Sequence, residues 1–547
     1  MDAIAPLLAL TPFALLAFLV VPARWANQRA ALVRRVVTAL TGFQFVLALV
    51  AALLRLVLDV GVQSRVLVEL GRPFALNEAG LNLSVYYDGP SSLMLLMVSF
   101  VGWVICRYSL RYLDGDAQQG NYFRWAAATI GAVSLMAIAG NLFMFAAAWV
   151  LTSFGLHHLL LYYPDRPGAR RAAWTKFAIS RLGDVALIAA LILTYVKFQT
   201  LDLAALFAAL DGGSPDTSLA QVPTGVIGWL FIAAAALKSA QFPFHSWLPL
   251  TMETPTPVSA LMHAGIVNAG GYLLIRMSPL IVHAPSAMTM LAIVGAVTAV
   301  YGGVVMMTQS SVKQALAYST IAQMGFMMLQ CGLGAFTAAM LHLIAHSLYK
   351  AHAFLNSGSV VSQAASMKAA SMKAASMKVV EPSGSQVDSA SPQGSLGLLA
   401  VAAATLLVYL SASALLGFDF TKKPGAFVFA FTLCLALMTW GWRVLRTGAR
   451  PNVIGGLLSL AALCVIYMGG YMAVTAVLGS AVPSAGFSSA AIAVNVAIAL
   501  AFGGLLALHF TILRQGQPRW LEALRVHASS GFYVDAIYRR LFHSAAS

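Results

Sequence analysis

Apolar runs of about 20 residues recur from one end of this chain to the other. A run of that length has one common solution, a helix in a bilayer, where every backbone N–H and C=O is satisfied inside the segment. Such runs fall near residues 3–22, 34–56, 86–108, 124–139, 141–162, 174–196, 223–247, 255–276, 287–307, 312–333, 335–361, 396–417, 425–444, 453–475 and 488–513. They predict an all-α polytopic membrane protein with about 15 transmembrane helices. Composition agrees, with 60% of residues hydrophobic and only 9% charged, where a soluble domain carries about 25% charged residues. The opening stretch "MDAIAPLLALTPFALLAFLVV" has neither a basic start nor a small-residue cleavage site and reads as a retained first helix.

Orientation follows from the cations between the runs. Odd-numbered loops and the tail hold 23 Lys and Arg residues, counting Lys176 among them, whereas even-numbered loops hold seven, counting Arg276. The asymmetry predicts an external N-terminus and a cytoplasmic C-terminus, as expected in a bacterial inner membrane. The net charge of +15 is therefore a topology signal. Nucleic-acid binding is excluded, since no basic patch alternates with exposed aromatics. Cys106, Cys331, Cys434 and Cys464 lie in or beside apolar runs without CxxC spacing, which points to neither a disulfide framework nor a metal site.

Polar residues gather in three places: an external segment near 57–85, the stretch "QAASMKAASMKAASMKVVEPSGSQVDSASPQGS", and the tail. In the second, a five-residue unit steps Lys368, Lys373 and Lys378 about 140° apart on a helix, so they share no face. A flexible linker is predicted. In the tail, "WLEALRVH" and "FYVDAIYRRLF" have helical apolar spacing with arginine flanks, as in a helix lying on a lipid surface or bound to a partner.

Ionisable residues at bilayer depth cost about 3 kcal/mol even on lenient scales, so each demands a function or a partner. Lys238 ends the run "GVIGWLFIAAAALK", and Pro243, Pro249, Pro255 and Pro257 follow it. The prolines predict a helix broken just beyond the lysine, tolerated only where protein or water lines it. Discontinuous helices near the midplane are how many transporters build ion sites; the bland alternative is a lysine snorkelling from a helix end. His342, His346 and Lys350 recur at i, i+4 and i+8, one stripe of a helix, suited to passing protons through intervening water or, more plainly, to interhelical hydrogen bonds. An HxxxH metal pair lacks an acidic third ligand nearby. His263, followed by Asn268, lies after the break and reads equally as a core histidine. Asp184, one turn from Arg181, forms either a local i,i+3 pair or the carboxylate that holds a proton on Lys238.

The stretches "KSAQFPFHSWLPLTMETPTPVSALMHAG", "TQSSVKQALAYSTIAQMGFMML" and "HLIAHSLYKAHAFLNSGSVV" resemble the antiporter-like, proton-conducting membrane subunits of complex I and Mrp complexes. The resemblance implies inverted repeats with a broken helix near Lys238, and proton-path roles for Lys238, His263, His342, His346 and Lys350, with Asp184 near the start of the path. It divides the chain into N-terminal transmembrane helices (1–115), an antiporter-like conducting core (116–362), the linker (363–395), C-terminal transmembrane helices (396–513) and a cytoplasmic amphipathic tail (514–547). The departures are specific. Where the family carries a glutamate after the tryptophan of "AAAWVLTSFGLHHLLLYY", this chain has Val150; His157, two turns on, reads first as a packed histidine and otherwise as a substitute for the missing carboxylate. The second repeat has no interior proline or charge, and only Lys422 or Lys423 aligns loosely with the family's second lysine. The chain also ends without the lateral arm of the complex I subunit.

An acid-depleted version with this ending is similar to the membrane subunits of the DAB inorganic carbon accumulation systems. That implies a cation-conducting subunit, H+ or Na+ being undecided, which drives one-way CO2 hydration by a cytoplasmic DabA-like zinc subunit resembling a β-carbonic anhydrase. Chemistry is then expected in the partner, with no catalytic residue, cofactor or metal in this chain. The rival readings are a proton-translocating subunit of a complex I-like dehydrogenase or an Mrp antiporter, and a membrane scaffold that conducts nothing.

Overall fold

The computed structural model describes residues 4–58, 63–69, 82–211, 222–375, 453–483, 489–512 and 519–534, with isolated positions at 410, 411, 434, 536 and 540. Helices α1 (Ile4–Leu16), α2 (Ala23–Gln28) and α3 (Ala30–Val57) lead into a hairpin, β1 (Gln63–Glu69) antiparallel to β2 (Asn82–Tyr87). Then come α4 (Gly89–Tyr112), α5 (Gln119–Ala137), α6 (Leu142–Leu160), α7 (Pro167–Phe198), α8 (Leu203–Asp211), α9 (Thr224–Lys238) and α10 (Trp247–Leu250). The series continues through α11 (Thr256–Ala264), α12 (Ala269–Arg276), α13 (Ser278–Ile281), α14 (Pro285–Met306), α15 (Val312–Gly332) and α16 (Phe336–Ala375). Last are α17 (Val453–Leu478), α18 (Ser489–Ile512) and α19 (Arg519–Ser529). Among the described residues seven segments are long and apolar enough to cross a membrane, and α9 is a shorter apolar helix. That compares with the 15 or so that hydropathy predicts; two of the expected spans, 396–417 and 425–444, fall, except at positions 410, 411 and 434, outside the described residues, as do Lys422 and Lys423.

Polarity is arranged as in a bilayer protein. Helix α3 buries Thr41 and Gln44 while Phe43, Val46 and Leu53 stay more than half exposed, the reverse of a soluble helix, because lipid solvates apolar side chains as well as a core does. The segment from α11 to α12 is wholly buried, packed against α4, α9, α15 and α16. Helices α14 and α15 meet at backbone contact: a Cβ on Gly295 would lie 2.5 Å from the Leu329 amide, and one on Gly325 2.5 Å from that of Ala299.

Four features differ from the sequence expectation. The polar segment near 57–85 contributes a β-hairpin, joined to the bundle where Asn141, capping α6 by accepting from the Met144 amide, also donates to Asn82 and Ser84. Helix α16 runs on to Ala375, into the segment whose repeats predict a linker, since Ala, Met and Lys are good helix formers whatever face they present. The other two are cations taken for loop residues. Arg276 is 3% exposed and makes a two-pronged ion pair with Asp88, whose carboxylate also caps α4. Lys176 is buried inside α7.

Candidate functional site

Helix α9 ends with Lys238 as its last residue, just ahead of the prolines. Ala240 has φ +51°, a left-handed turn that a β-carbon disfavours, and the backbone stays non-helical through Ser246. A second interruption faces the first. Gly265 stops α11 and a short 3-10 turn, Ile266–Asn268, separates it from α12. Ser239 Oγ donates to the Val267 carbonyl at 2.7 Å, and Gly270 lets α12 close on the Ala235 carbonyl and Ser239. Each break thus supplies a donor or acceptor that the other lacks.

Lys238 is 5% exposed. Its Nζ donates to Ser153 Oγ at 2.6 Å and to the Trp149 carbonyl at 3.1 Å, and lies 4.3 Å from the centre of the Trp149 ring. The same indole donates through Nε1 to Asp184 Oδ1 at 2.9 Å, while Asp184 Oδ2 pairs with Arg181 at 2.7 Å. The local pair and the link toward Lys238 therefore coexist: Asp184 is locked to Arg181 and reaches the lysine through Trp149. On the same residue, Lys176 Nζ donates to the Ser153 carbonyl at 2.8 Å. Lys176 was legible in principle. With Ala169, Ala172, Ala173, Ser180 and Gly183 it belongs to the buried stripe of α7 that carries Asp184, two turns away at i,i+8.

His263, Lys350, His346 and His342 form a second group. His263 Nδ1 lies 3.0 Å from Thr320 Oγ1, and Thr320 and Lys350 both donate to the Leu316 carbonyl, at 3.0 and 2.9 Å. His346 is buried one turn from Lys350, its ring centre 6.1 Å from that of half-buried His342. His263 Nε2, His342 Nε2 and both ring nitrogens of His346 are buried without a protein partner among the described residues. Buried polar atoms of this kind are satisfied by water. The interruption between α11 and α12 joins the groups. On one side Val267 takes the bond from Ser239, next to Lys238; on the other, Asn268 Nδ2 donates to Ser347 Oγ at 2.8 Å, beside His346.

His157 is not brought to Lys238. Its Nδ1 faces the Ala173 carbonyl at 3.3 Å and its ring packs on Trp174 and Phe177; one turn earlier on α6, Ser153 occupies the place beside the lysine. A histidine missed in sequence, His245, sits buried in the break after Lys238, its ring against Phe242 and Tyr301. Tyr301 in turn donates to the Gly531 carbonyl at 2.9 Å, so the segment after α19 rests on the wall of the break.

Two family models match the chain. Residues 139–383 match the membrane segment of the NADH:quinone oxidoreductase/Mrp antiporter family, and residues 74–123 the N-terminal region of complex I chain 5. Among curated proteins the chain is 46% identical over 288 residues to a probable inorganic carbon transporter subunit, DabB2, of Halothiobacillus neapolitanus, a match covering 53% of this chain and 52% of the relative. It is 39% identical over 350 residues to DabB1 of the same organism (64% and 62%) and 36% identical over 284 residues to NADH-quinone oxidoreductase subunit L of Mycobacterium tuberculosis (51% and 44%). The chain thus spans between about two fifths and three fifths of these relatives. In fold it is similar to a chain of the Mrp complex from Dietzia sp. DQ12-45-1b, with a TM-score of 0.65, 22% identity, and coverage of 98% of this chain and 59% of that one.

Proposed function

We propose that this chain, which belongs to the complex I and Mrp antiporter-like superfamily of membrane subunits, is the cation-conducting subunit of an energy-coupled inorganic carbon uptake complex. The relatives named as DabB subunits support the assignment to carbon uptake. The observation that carries conduction is Lys238: an amine buried at a helix end, bonded among the described residues to a hydroxyl and a carbonyl, one indole away from a carboxylate. A buried ion without a direct counter-charge is costly, and a structural lysine has no need of such a place.

In this reading a cation, H+ in keeping with the amine and imidazole chemistry, moves between the Lys238 group and the stripe of His263, His346, His342 and Lys350 across the interrupted helix. Its passage drives one-way hydration of CO2 in a DabA-like zinc subunit on the cytoplasmic side. No cofactor is assigned to this chain, and zinc belongs to the partner. Expected topology is N-terminus out, tail in, in a bacterial inner membrane.

Two measurements test this. Purification from the native membrane is expected to yield a zinc-containing, carbonic-anhydrase-like partner; quinone-reducing or antiporter subunits in its place would move the assignment to the respiratory and Mrp branch, to which the likeness to subunit L points. Lys238→Met is expected to abolish carbon uptake with the complex still assembled. Uptake that survives it is the outcome for a scaffold, the reading favoured by Val150 where a glutamate is expected.

A further inference from the structure

We infer that Lys176 and Lys238 form one proton site bridged by Ser153, so that Lys176 is an ion-path residue and not a loop cation. The inference rests on the conducting reading and adds a group that reading does not use.

Both amines are buried, at 1% and 5% exposure, and both bond the same residue: Lys238 to the Ser153 hydroxyl at 2.6 Å, Lys176 to the Ser153 carbonyl at 2.8 Å. Lys176 stands nine residues into α7, about 14 Å along its axis, too deep for a side chain that bonds its neighbour helix to be lying at the surface. An ammonium has three donors to satisfy. Among the described residues Lys238 finds two acceptors and Lys176 one, so two full positive charges on this serine would be under-bonded as well as mutually repelling.

The surrounding charges sharpen this. The groups acting on Lys176 are Lys238, Arg181 and Asp184, and His157 lies within its field from α6. Asp184 is the one carboxylate of the set, and its oxygens are engaged by Arg181 and by Trp149. Arg181 does not give up its proton, so Arg181 and Asp184 cancel and, among the described residues acting on Lys176, no second anion remains for two ammonium groups. One proton shared by two nitrogens is the occupancy that fits.

The exchange is balanced. Lys238 passes an N–H proton to Ser153 Oγ, and the hydroxyl delivers its own proton to the lone pair of Lys176 Nζ once that amine swings from the Ser153 carbonyl to the hydroxyl of the same residue. One N–H bond breaks, one forms, and the hydroxyl is restored.

The rival role for Lys176 is a clamp that only holds the Ser153 carbonyl. The test uses the complete complex purified from its membrane, reconstituted in vesicles with a trapped pH-sensitive dye, and driven by a potassium diffusion potential. Lys176→Met and Lys176→Arg are compared with wild type, with size-exclusion elution as the check on assembly. Arginine keeps the charge and donates to a carbonyl but does not release its proton. The inference expects proton flux to fall at least tenfold in both variants, and the double variant Lys176→Met/Lys238→Met to be no worse than either alone, as for one shared site. A clamp expects arginine to restore flux, and that result overturns the inference, as does normal flux in Lys176→Met. If both variants fail to assemble, Ser153→Ala decides, because it keeps the Lys176 bond and removes only the bridge; unchanged flux there rejects the site. Flux absent in wild type, or intact in Lys238→Met, sinks the conducting reading and this inference with it, whereas flux lost in Lys238→Met but intact in Lys176→Met sinks the inference alone.

Discussion

Trp149 holds Lys238 with its carbonyl and Asp184 with its indole, so one residue carries both ends of the link between amine and carboxylate. Trp149→Phe keeps the carbonyl and the ring but removes the N–H. Asp184 then loses its tie, and proton flux in vesicles is expected to drop about tenfold, the scale of one charge-assisted hydrogen bond; flux equal to wild type would show that the link is only packing. Asp88 and Arg276 are the contrasting case, a buried pair with every strong contact made, including Arg276 to Ser91 and Tyr272. Here Asp88→Asn leaves an uncompensated guanidinium, and thermal unfolding in detergent is expected to register a loss of about 3–5 kcal/mol with no selective effect on conduction in the fraction that stays folded. Both cations, Lys176 and Arg276, look like loop charges in sequence. Hydropathy assigns a residue to the nearest polar gap, and only a neighbouring helix supplies the acceptor that lets the charge stay inside.

At the scale of elements, the helices are legible because apolar length alone demands them. Where a helix stops is another matter. The prolines predict a break just beyond Lys238, where α9 ends, but nothing in the reading of the sequence announces the matching stop at Gly265; the two are stabilised by each other through Ser239 and Val267, residues 28 apart in the chain. Helix pairing has its own signature in the small residues of α14 and α15. Gly325→Val forces a side chain into the Ala299 backbone and is expected to cost about 1–3 kcal/mol by overpacking, seen as a lower midpoint in thermal unfolding. Tyr301→Phe removes the bond to Gly531; faster amide exchange confined to residues 519–533 is expected, and an unchanged exchange pattern would mean that packing of Leu521 and Ala528, both buried, suffices to hold the tail.

For the molecule as a whole, the reading implies dependence on an ion gradient. Collapsing the membrane potential in whole cells with a potassium ionophore is expected to stop carbon uptake while leaving the complex intact on a native gel; uptake that continues would favour a scaffold. The resemblance of residues 174–361 to antiporter-like subunits already contains Lys238, His263, His342, His346 and Lys350, and the structure gathers these into two groups joined across Asn268. It assigns no role to Lys176, stops short of Ser153, and is accompanied by His157, which turns away.

A one-dimensional pattern of apolar lengths and cation counts is enough to fix the class of this protein, because the bilayer imposes one thickness and one polarity on every segment. Which buried charges face one another is set by side chains from separate helices, α6, α7 and α9 around Lys238 and α11, α15 and α16 around His263. Electrostatic and hydrogen-bond energies depend on distances of a few ångströms in space, and separation along the chain carries no record of them.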